Sequence, residues 1–320
     1  MKKGFWRGKF KNSGAEFKDT GFSNLASAQG SRLLDSNGKF QVKRTGSTNW
    51  FSFSFAHELI SMSWGKFLGI IFGFYVLVNL LFACLYYLAG MENFMGGIAR
   101  TESEKFFEAF FFSAQTITTV GYGRVNPAGF LPNIIASVEA LMGLMSFSII
   151  TGLLYGRFAK PEAKIVFAPN ILISPFQGEK ALMIRFANAR NNDLAELEAQ
   201  VILSLVGLEE ERNIRKYYTL KLERSQVTAM PLTWTLVHPI KDESPLLSID
   251  QEGLEELEAE VLVTIKGHDT IFSQTVFSRT SFLPSAFVWN AKFKPCFRKS
   301  EDGLETILEM DKLGDYELLA

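Results

Sequence analysis

Two long uncharged stretches dominate the hydropathy pattern of this 320-residue chain. Residues 67–91 contain no charged side chain, and residues 134–156 contain only one, Glu139. At 1.5 Å of rise per residue, the first stretch forms a helix of roughly 37 Å, which is long enough to cross the hydrocarbon core of a bilayer. The pattern therefore predicts two transmembrane helices that are close together in the sequence.

The segment between these helices has the pattern of a short helix followed by a glycine-containing loop. An apolar run covers residues 106–117, and the loop after it reads Thr119-Val120-Gly121-Tyr122-Gly123. Glycine has no β-carbon, so it can adopt backbone angles that turn successive carbonyl oxygens toward one axis. Rings of such carbonyls from four loops can replace the water around a potassium ion. The loop therefore predicts a potassium-selective filter, in which K⁺ is bound by the backbone carbonyls of Thr119, Val120, Gly121 and Tyr122.

The segment 50–64, just before the first span, is amphipathic. Its first half alternates Phe and Ser as a strand would, but from Phe55 onward the apolar positions follow one face of a helix. A helix that lies in the membrane interface is the favoured interpretation, and a plain linker is the alternative.

Charge is distributed unevenly along the chain. Residues 1–50 carry ten Lys or Arg and three acidic residues, whereas residues 92–133, between the spans, carry a net charge of −1. Basic residues also follow the second span, at Arg157, Lys160 and Lys164. Because positive flanks stay in the cytoplasm, both termini are predicted to be cytoplasmic and the filter loop to lie at the outer face.

Several residues of the second span are candidates for control of a pore. We place Glu139 at a water-filled cavity below the filter, and a hydrogen bond behind its own pore helix is an equal alternative. Gly143 is a position at which a helix can bend. Phe147 and Tyr155 are eight residues apart and can share one broad face, where bulky rings would close a pore by expelling water. Contact with lipid or with other helices is the alternative for both rings.

Beyond residue 160 the pattern changes to short strands separated by turn sequences. Eight runs have this character: 164–168, 180–188, 198–206, 215–222, 233–238, 258–266, 271–278 and 287–293. Many short strands with little helix predict a β-sandwich. The sequence has no Gly-x-Gly-x-x-Gly motif, nucleophile–base pair or metal-ligand spacing, so we expect neither an enzyme nor a cofactor beyond the permeant ion.

These elements resemble the inward-rectifier potassium channel family, of the prokaryotic type, over residues 50–295. The most similar stretches are 109–123, 153–161, 182–188 and 234–246. The resemblance implies a homotetramer in the bacterial inner membrane, with a slide helix, an outer helix, a pore helix, an inner helix and an immunoglobulin-like cytoplasmic sandwich. It implies membrane lipids, and no nucleic acid, as partners. The expected segments are a basic, largely flexible 1–48, a pore domain 49–160, a sandwich 161–297 and a C-terminal tail 298–320.

The resemblance also suggests roles for individual residues. Gly143 matches the hinge glycine of the inner helix, and Phe147 and Tyr155 match positions that narrow the pore as a gate. Arg157 and Lys160 are expected to contact anionic lipid headgroups.

The chain departs from the family pattern next to the filter. Most eukaryotic members have a pore-helix Glu that pairs with an Arg just after the filter. Here Gln115 takes the position of that acid, while Arg124 follows the filter. Both residues are expected to support the filter, but the usual ion pair cannot form between them.

Two other functions fit the same sequence. The first is a cation channel of low selectivity, if the filter is poorly supported. The second is a two-span membrane sensor, in which the β-sandwich binds a ligand and the helices are only an anchor.

Overall fold

The computed structural model describes residues 55–159, 163–190, 192–209 and 212–319. The chain divides into two compact units, one with the apolar helices and one with the β-strands. The N-terminal segment 1–48 lies outside the described residues, so the expectation for it stays a prediction.

The described part of the helical unit contains four α-helices, a short 3-10 helix at Met91–Asn93 and one small ribbon of two strands. Their bounds are α1 Phe55–Ser61, α2 Trp64–Leu88, β1 Phe94–Met95, α3 Glu102–Ile117, β2 Asn126–Pro127 and α4 Phe130–Phe158. Helices α2 and α4 are long and apolar enough to cross a membrane, which confirms the two predicted spans. Helix α3 lies where the sequence predicts the short helix before the filter.

Aromatic rings hold α3 against α2. The rings of Tyr86 and Phe112 are 5.0 Å apart, and Phe94 lies 5.6 Å from Tyr86 and 5.3 Å from Phe112, all close to edge-to-face. Such pairs stabilise beyond their buried area by roughly 1 kcal/mol each. The re-entrant helix is therefore fixed to the outer span by a buried aromatic cluster.

The second unit is a β-sandwich, which confirms the predicted fold class. Its strands are β3 Ile165–Phe167, β4 Ile171–Phe176, β5 Glu179–Asn188, β6 Leu194–Glu209, β7 Arg212–Leu220, β8 Gln226–Ala229, β9 Thr233–Ile240, β10 Glu260–Asp269, β11 Gln274–Phe282 and β12 Phe287–Trp289. One sheet has the strand order β11-β10-β6-β7, with β8 also paired to β6, and the other has β12-β4-β5-β3, with β9 also paired to β5. Apolar side chains from both sheets form one core.

Each of the eight predicted runs overlaps an observed strand, but the sequence misses β4 and β8. Strand β4 reads as a continuous apolar run that contains Pro175, and a proline inside a run argues against a strand. In the structure Pro175 pairs with Lys180 next to the turn between β4 and β5, where the loss of one N–H donor is tolerated. A short helix, α5 Gln251–Glu256, is also missed.

The last part of the chain differs from the expected tail. It forms β13 Ala291–Phe293, β14 Phe297–Lys299, β15 Thr306–Leu308 and β16 Tyr316–Leu318. Strand β16 pairs with β13, and Leu313 is 2% exposed in a small core with Ala187 and Cys296. Residues 298–319 therefore belong to the folded β-rich unit, because strand β16 pairs with β13 and Leu313 is buried against Ala187 and Cys296.

Candidate functional site

The pore helix α3 begins at a complete capping box. The Thr101 hydroxyl accepts a hydrogen bond from the Glu104 amide at 3.2 Å, and the Glu104 carboxylate accepts from the Thr101 amide at 3.1 Å. The Arg100 amide also donates to Glu104, and these backbone bonds hold the pKa of that carboxyl below its usual value. The capping box fixes the start of α3. The C-terminal end of α3 therefore places the filter loop at a defined position.

The backbone φ angle changes sign from residue to residue along the loop 119–123. Thr119, Gly121 and Gly123 have φ of 60°, 49° and 81°, whereas Val120 and Tyr122 do not have positive φ. In an ordinary strand successive carbonyls point in opposite directions, and alternation between left- and right-handed conformations turns them toward the same side. The geometry therefore suits a row of carbonyl ligands. The positive φ of Thr119, a β-branched residue, is not anticipated by the sequence.

Gln115 contacts the loop 119–123 through its main chain. Its carbonyl oxygen accepts hydrogen bonds from the amides of Val120 at 3.0 Å and Gly121 at 3.2 Å, and the Thr119 amide donates to Thr116. A strained φ persists only where the surroundings fix it. These bonds from the end of α3 supply that constraint.

Arg124 pairs with a different acid from the one that the family pattern suggests. Its guanidinium lies 2.9 Å from the Glu108 carboxylate and donates to the Gly96 carbonyl at 3.1 Å. Glu108 is 8% exposed and also accepts from the backbone amides of Ile98 and Ala99. Arg124 therefore forms its ion pair with Glu108, which lies two turns before Gln115 on the same helix.

The Gly96 loop approaches the outer end of the filter very closely. A β-carbon on Gly96 would lie 1.7 Å from the carbonyl oxygen of Arg124, so only glycine fits there. The side-chain amide of Asn126 also donates a hydrogen bond to the Gly123 carbonyl at 2.6 Å. The end of the filter is thus fixed from two directions.

Glu139 lies behind the pore helix in the described chain. Its side chain is fully buried, and its two carboxyl oxygens contact the hydroxyls of Tyr86 on α2 and Ser113 on α3. This arrangement agrees with the alternative placement and not with a position at the cavity. The physical reason is that the two hydroxyls satisfy the buried carboxyl group, which the apolar surroundings would otherwise destabilise.

Gly143 is a close-packing position as well as a candidate hinge. A β-carbon on this residue would lie 2.3 Å from the carbonyl oxygen of Ile117, the last residue of α3. The absence of a side chain therefore lets α4 touch the pore helix just before the filter. By contrast, a β-carbon on Gly152 of the same helix would meet no atom within 4 Å.

Comparison with known proteins decides the family. The profile of the inward rectifier potassium channel C-terminal domain matches residues 165–312, and that of an ion channel matches residues 70–160. The inward rectifier potassium channel Kirbac3.1 of Paramagnetospirillum magnetotacticum is 34% identical over 90% of this chain and 96% of its own length. The chain belongs to the inward-rectifier potassium channel family.

More distant relatives and folds match less of the chain. Inward rectifier potassium channel 4 from Mesocricetus auratus and from Homo sapiens is 29% identical over 59% of this chain and 45% of the relative. Among solved structures, the sporulation control protein Spo0M from Bacillus subtilis aligns with 39% of this chain and 49% of its own chain at 14% identity. The TM-score of 0.23 is too low to indicate a shared fold.

The two rings expected to form the gate are both largely exposed on α4. Phe147 is 71% and Tyr155 is 74% exposed in the single chain. Neither ring is buried by contacts within the chain, and the gate stays a prediction.

Arg157 contacts the end of α1 and the segment that follows it. Its guanidinium donates to the carbonyls of Leu59 at 2.6 Å, Ile60 at 3.0 Å and Met62 at 2.7 Å, at the end of α1. It also lies 4.6 Å and 4.5 Å from the ring centres of Trp64 and Phe67. Cations are favoured at the C-terminus of a helix and over aromatic rings.

The expected headgroup contact of Arg157 stays a prediction, and the carbonyls and rings around its guanidinium are contacts within the chain. Lys160, the other residue expected at a lipid headgroup, lies outside the described residues.

Sequence reasoning missed several contributors to the site, among them Gly96, Glu108, Asn126 and the left-handed backbone of Thr119. A signal existed only for Glu108, an acid inside the apolar run Phe106–Phe112. Within the described ranges, no cluster of three His, Cys, Asp or Glu could hold a metal ion. The groups suited to an alkali cation are instead the filter carbonyls.

Proposed function

We propose that four copies of this chain form a potassium-selective, inward-rectifier-type channel in the plasma membrane of a bacterium, with both termini in the cytoplasm. The observation that carries the proposal is the alternating backbone from Thr119 to Gly123, together with the bonds that fix it to α3. The net charge of −1 between the spans and the basic flanks outside them support the orientation.

Conduction follows from the chemistry of the filter. A potassium ion loses its water when carbonyl oxygens of four loops replace it, and neighbouring ions repel one another along the row. Binding is therefore selective, and the repulsion still lets ions leave. Flux is passive and follows the electrochemical gradient of the ion.

Opening is proposed to occur at the inner-helix bundle, where Phe147 and Tyr155 of four subunits would form a hydrophobic constriction. Arg157 connects the inner helix to the slide helix, which lies just before the outer span. The cytoplasmic sandwich is proposed to act on this connection as the sensor.

Rubidium uptake into liposomes that contain the purified protein tests the proposal, with Gly121→Ala as the filter control. We expect uptake that barium blocks, that external sodium does not compete with and that Gly121→Ala abolishes. Phe147→Ala should increase uptake, because it removes part of the hydrophobic constriction.

The same measurements separate the alternative functions. A bi-ionic reversal potential near zero for potassium against sodium would indicate a weakly selective cation channel. Absence of uptake in both the unmodified chain and Phe147→Ala would indicate a two-span membrane sensor, because a channel that is only closed should be opened by this substitution.

A further inference from the structure

A polar cluster lies at the junction of α2, α3 and α4. It consists of Asn79 and Tyr86 on α2, Ser113 on α3 and Glu139 on α4, and each of the four residues is 0% exposed. Polar groups at such a depth are costly unless every donor and acceptor is paired. The placement of the hydrogen atoms in this cluster is therefore determined by its oxygen–oxygen contacts.

The orientation of the Asn79 amide is set by its own helix. Its Nδ2 donates to the carbonyl of Tyr75 at 2.7 Å, and a carbonyl oxygen can only accept. The other end of the amide, Oδ1, therefore points to the Ser113 hydroxyl, which is 3.0 Å away. Because Oδ1 carries no hydrogen, the hydrogen in this contact must come from Ser113.

The remaining contacts need one more hydrogen than the hydroxyls supply. Three oxygen–oxygen contacts connect the cluster: Tyr86 to Glu139, Glu139 to Ser113, and Ser113 to Asn79. The hydroxyls of Tyr86 and Ser113 provide one hydrogen each. With Ser113 donating to Asn79 and Tyr86 donating to Glu139, the contact between Glu139 and Ser113 has no hydrogen if Glu139 is a carboxylate.

We propose that Glu139 is held as a neutral carboxylic acid, whose proton forms the hydrogen bond to Ser113. The bonds then run in one direction, from Tyr86 through Glu139 and Ser113 to Asn79, and every oxygen contact contains one hydrogen. In the part of the chain that the structure describes, no lysine, arginine or histidine forms an ion pair with Glu139. A neutral acid needs no such partner.

This assignment makes Glu139 a positioning residue for the filter. It joins α4 to both α2 and α3, and it lies one turn before Gly143, which touches the end of α3 at Ile117. As a neutral group behind the pore helix, it adds no negative charge to the conduction path. The positioning role rests on the proposed function, whereas the protonation state does not.

Infrared difference spectroscopy of the full-length protein in liposomes tests the protonation state without any need for conduction. A protonated carboxylic acid has a C=O stretching band that a carboxylate lacks. We expect this band at neutral pH, its loss in Glu139→Gln and its persistence in Glu102→Gln, which changes an exposed glutamate. In Tyr86→Phe the band should move to higher frequency, because its carbonyl loses a hydrogen bond.

A band that is absent from the unmodified protein, or that survives Glu139→Gln, would overturn the proposal. Rubidium uptake then tests the positioning role separately. Glutamine has a donor and an acceptor in the places of the acid, so Glu139→Gln should keep at least about half of the uptake, whereas Glu139→Leu should lose most of it. Equal uptake by the two variants would contradict the role of these bonds in positioning the helix.

Discussion

The ion pair between Glu108 and Arg124 connects the pore helix to the residue that follows the filter. The glutamate is nearly buried, and its carboxylate accepts two backbone amides in addition to the guanidinium. Hydrogen bonds to charged groups contribute about 1.5–3 kcal/mol each. The pair is thus strong enough to influence the shape of the outer filter.

We predict that Glu108→Gln raises the sodium permeability relative to potassium by about threefold or more, because a loss of about 2 kcal/mol loosens the filter. Bi-ionic reversal potentials measure this ratio. Arg124→Gln should have a similar effect. The double variant should be no worse than either single variant, since both remove the same interaction, and fully additive effects would contradict the pairing.

Most of the filter could be predicted from the sequence, but its supporting residues could not. The motif Thr119 to Gly123 identifies the loop, and its two glycines indicate positive φ. The carbonyl of Gln115 accepts the filter amides as any residue at that position could, so no side-chain pattern reveals it. The partner of Arg124 depends on which turn of α3 faces the loop, and this is a property of the packing.

At the scale of elements, the position of α4 against α3 depends on Gly143. A hinge needs only a flexible residue, whereas the observed contact with the Ile117 carbonyl needs the absence of a β-carbon. These two roles give different expectations for alanine.

We predict that Gly143→Ala destabilises the pore by about 1–3 kcal/mol and strongly reduces rubidium uptake, because it forces α4 away from the end of the pore helix. Gly152→Ala is the matched control on the same helix. It should leave uptake unchanged and stabilise the helix by up to about 1 kcal/mol, because its β-carbon meets no atom. Equal effects of the two substitutions would contradict the close-packing role of Gly143.

The link between α1 and α4 depends on the shape of the arginine side chain. One planar guanidinium reaches three carbonyls and lies against two rings, and a lysine ammonium cannot reproduce both sets of contacts.

We predict that Arg157→Lys lowers the free energy of unfolding in detergent by about 2 kcal/mol, while binding of anionic lipid is unchanged. Thermal unfolding with and without anionic lipid measures both quantities. Arg157→Gln serves as the charge-removing comparison. If Arg157→Lys were as stable as the unmodified chain, and Arg157→Gln alone lost lipid binding, the result would favour the headgroup role over the link to α1.

At the scale of the whole molecule, the order of the elements could be predicted from the sequence. The packing of the C-terminal strands on distant residues could not. Apolar spans and alternating strands are local patterns, so the two-span unit and the sandwich follow from the sequence. The C-terminal residues look like a tail because their strands are only three residues long. They are stabilised by contacts with distant residues such as Ala187, which no local pattern records.

We predict that Leu313→Ala costs about 2–5 kcal/mol of sandwich stability, because the side chain is 2% exposed. Leu304→Ala removes the same atoms from a residue that is 85% exposed and should have little effect. Chemical unfolding of the two variants makes the comparison. Similar stability of both would mean that the C-terminal residues are indeed a loose tail.

The alternating φ of the filter has a stereochemical consequence. At Thr119, Gly121 and Gly123 the chain adopts angles that suit D-amino acids, so this stretch has the backbone of a polymer of alternating handedness. A semisynthetic channel with D-alanine at position 121 should conduct, whereas the L-alanine variant of identical composition should not. The two glycines thus act as achiral substitutes for D-residues that ribosomal synthesis does not supply.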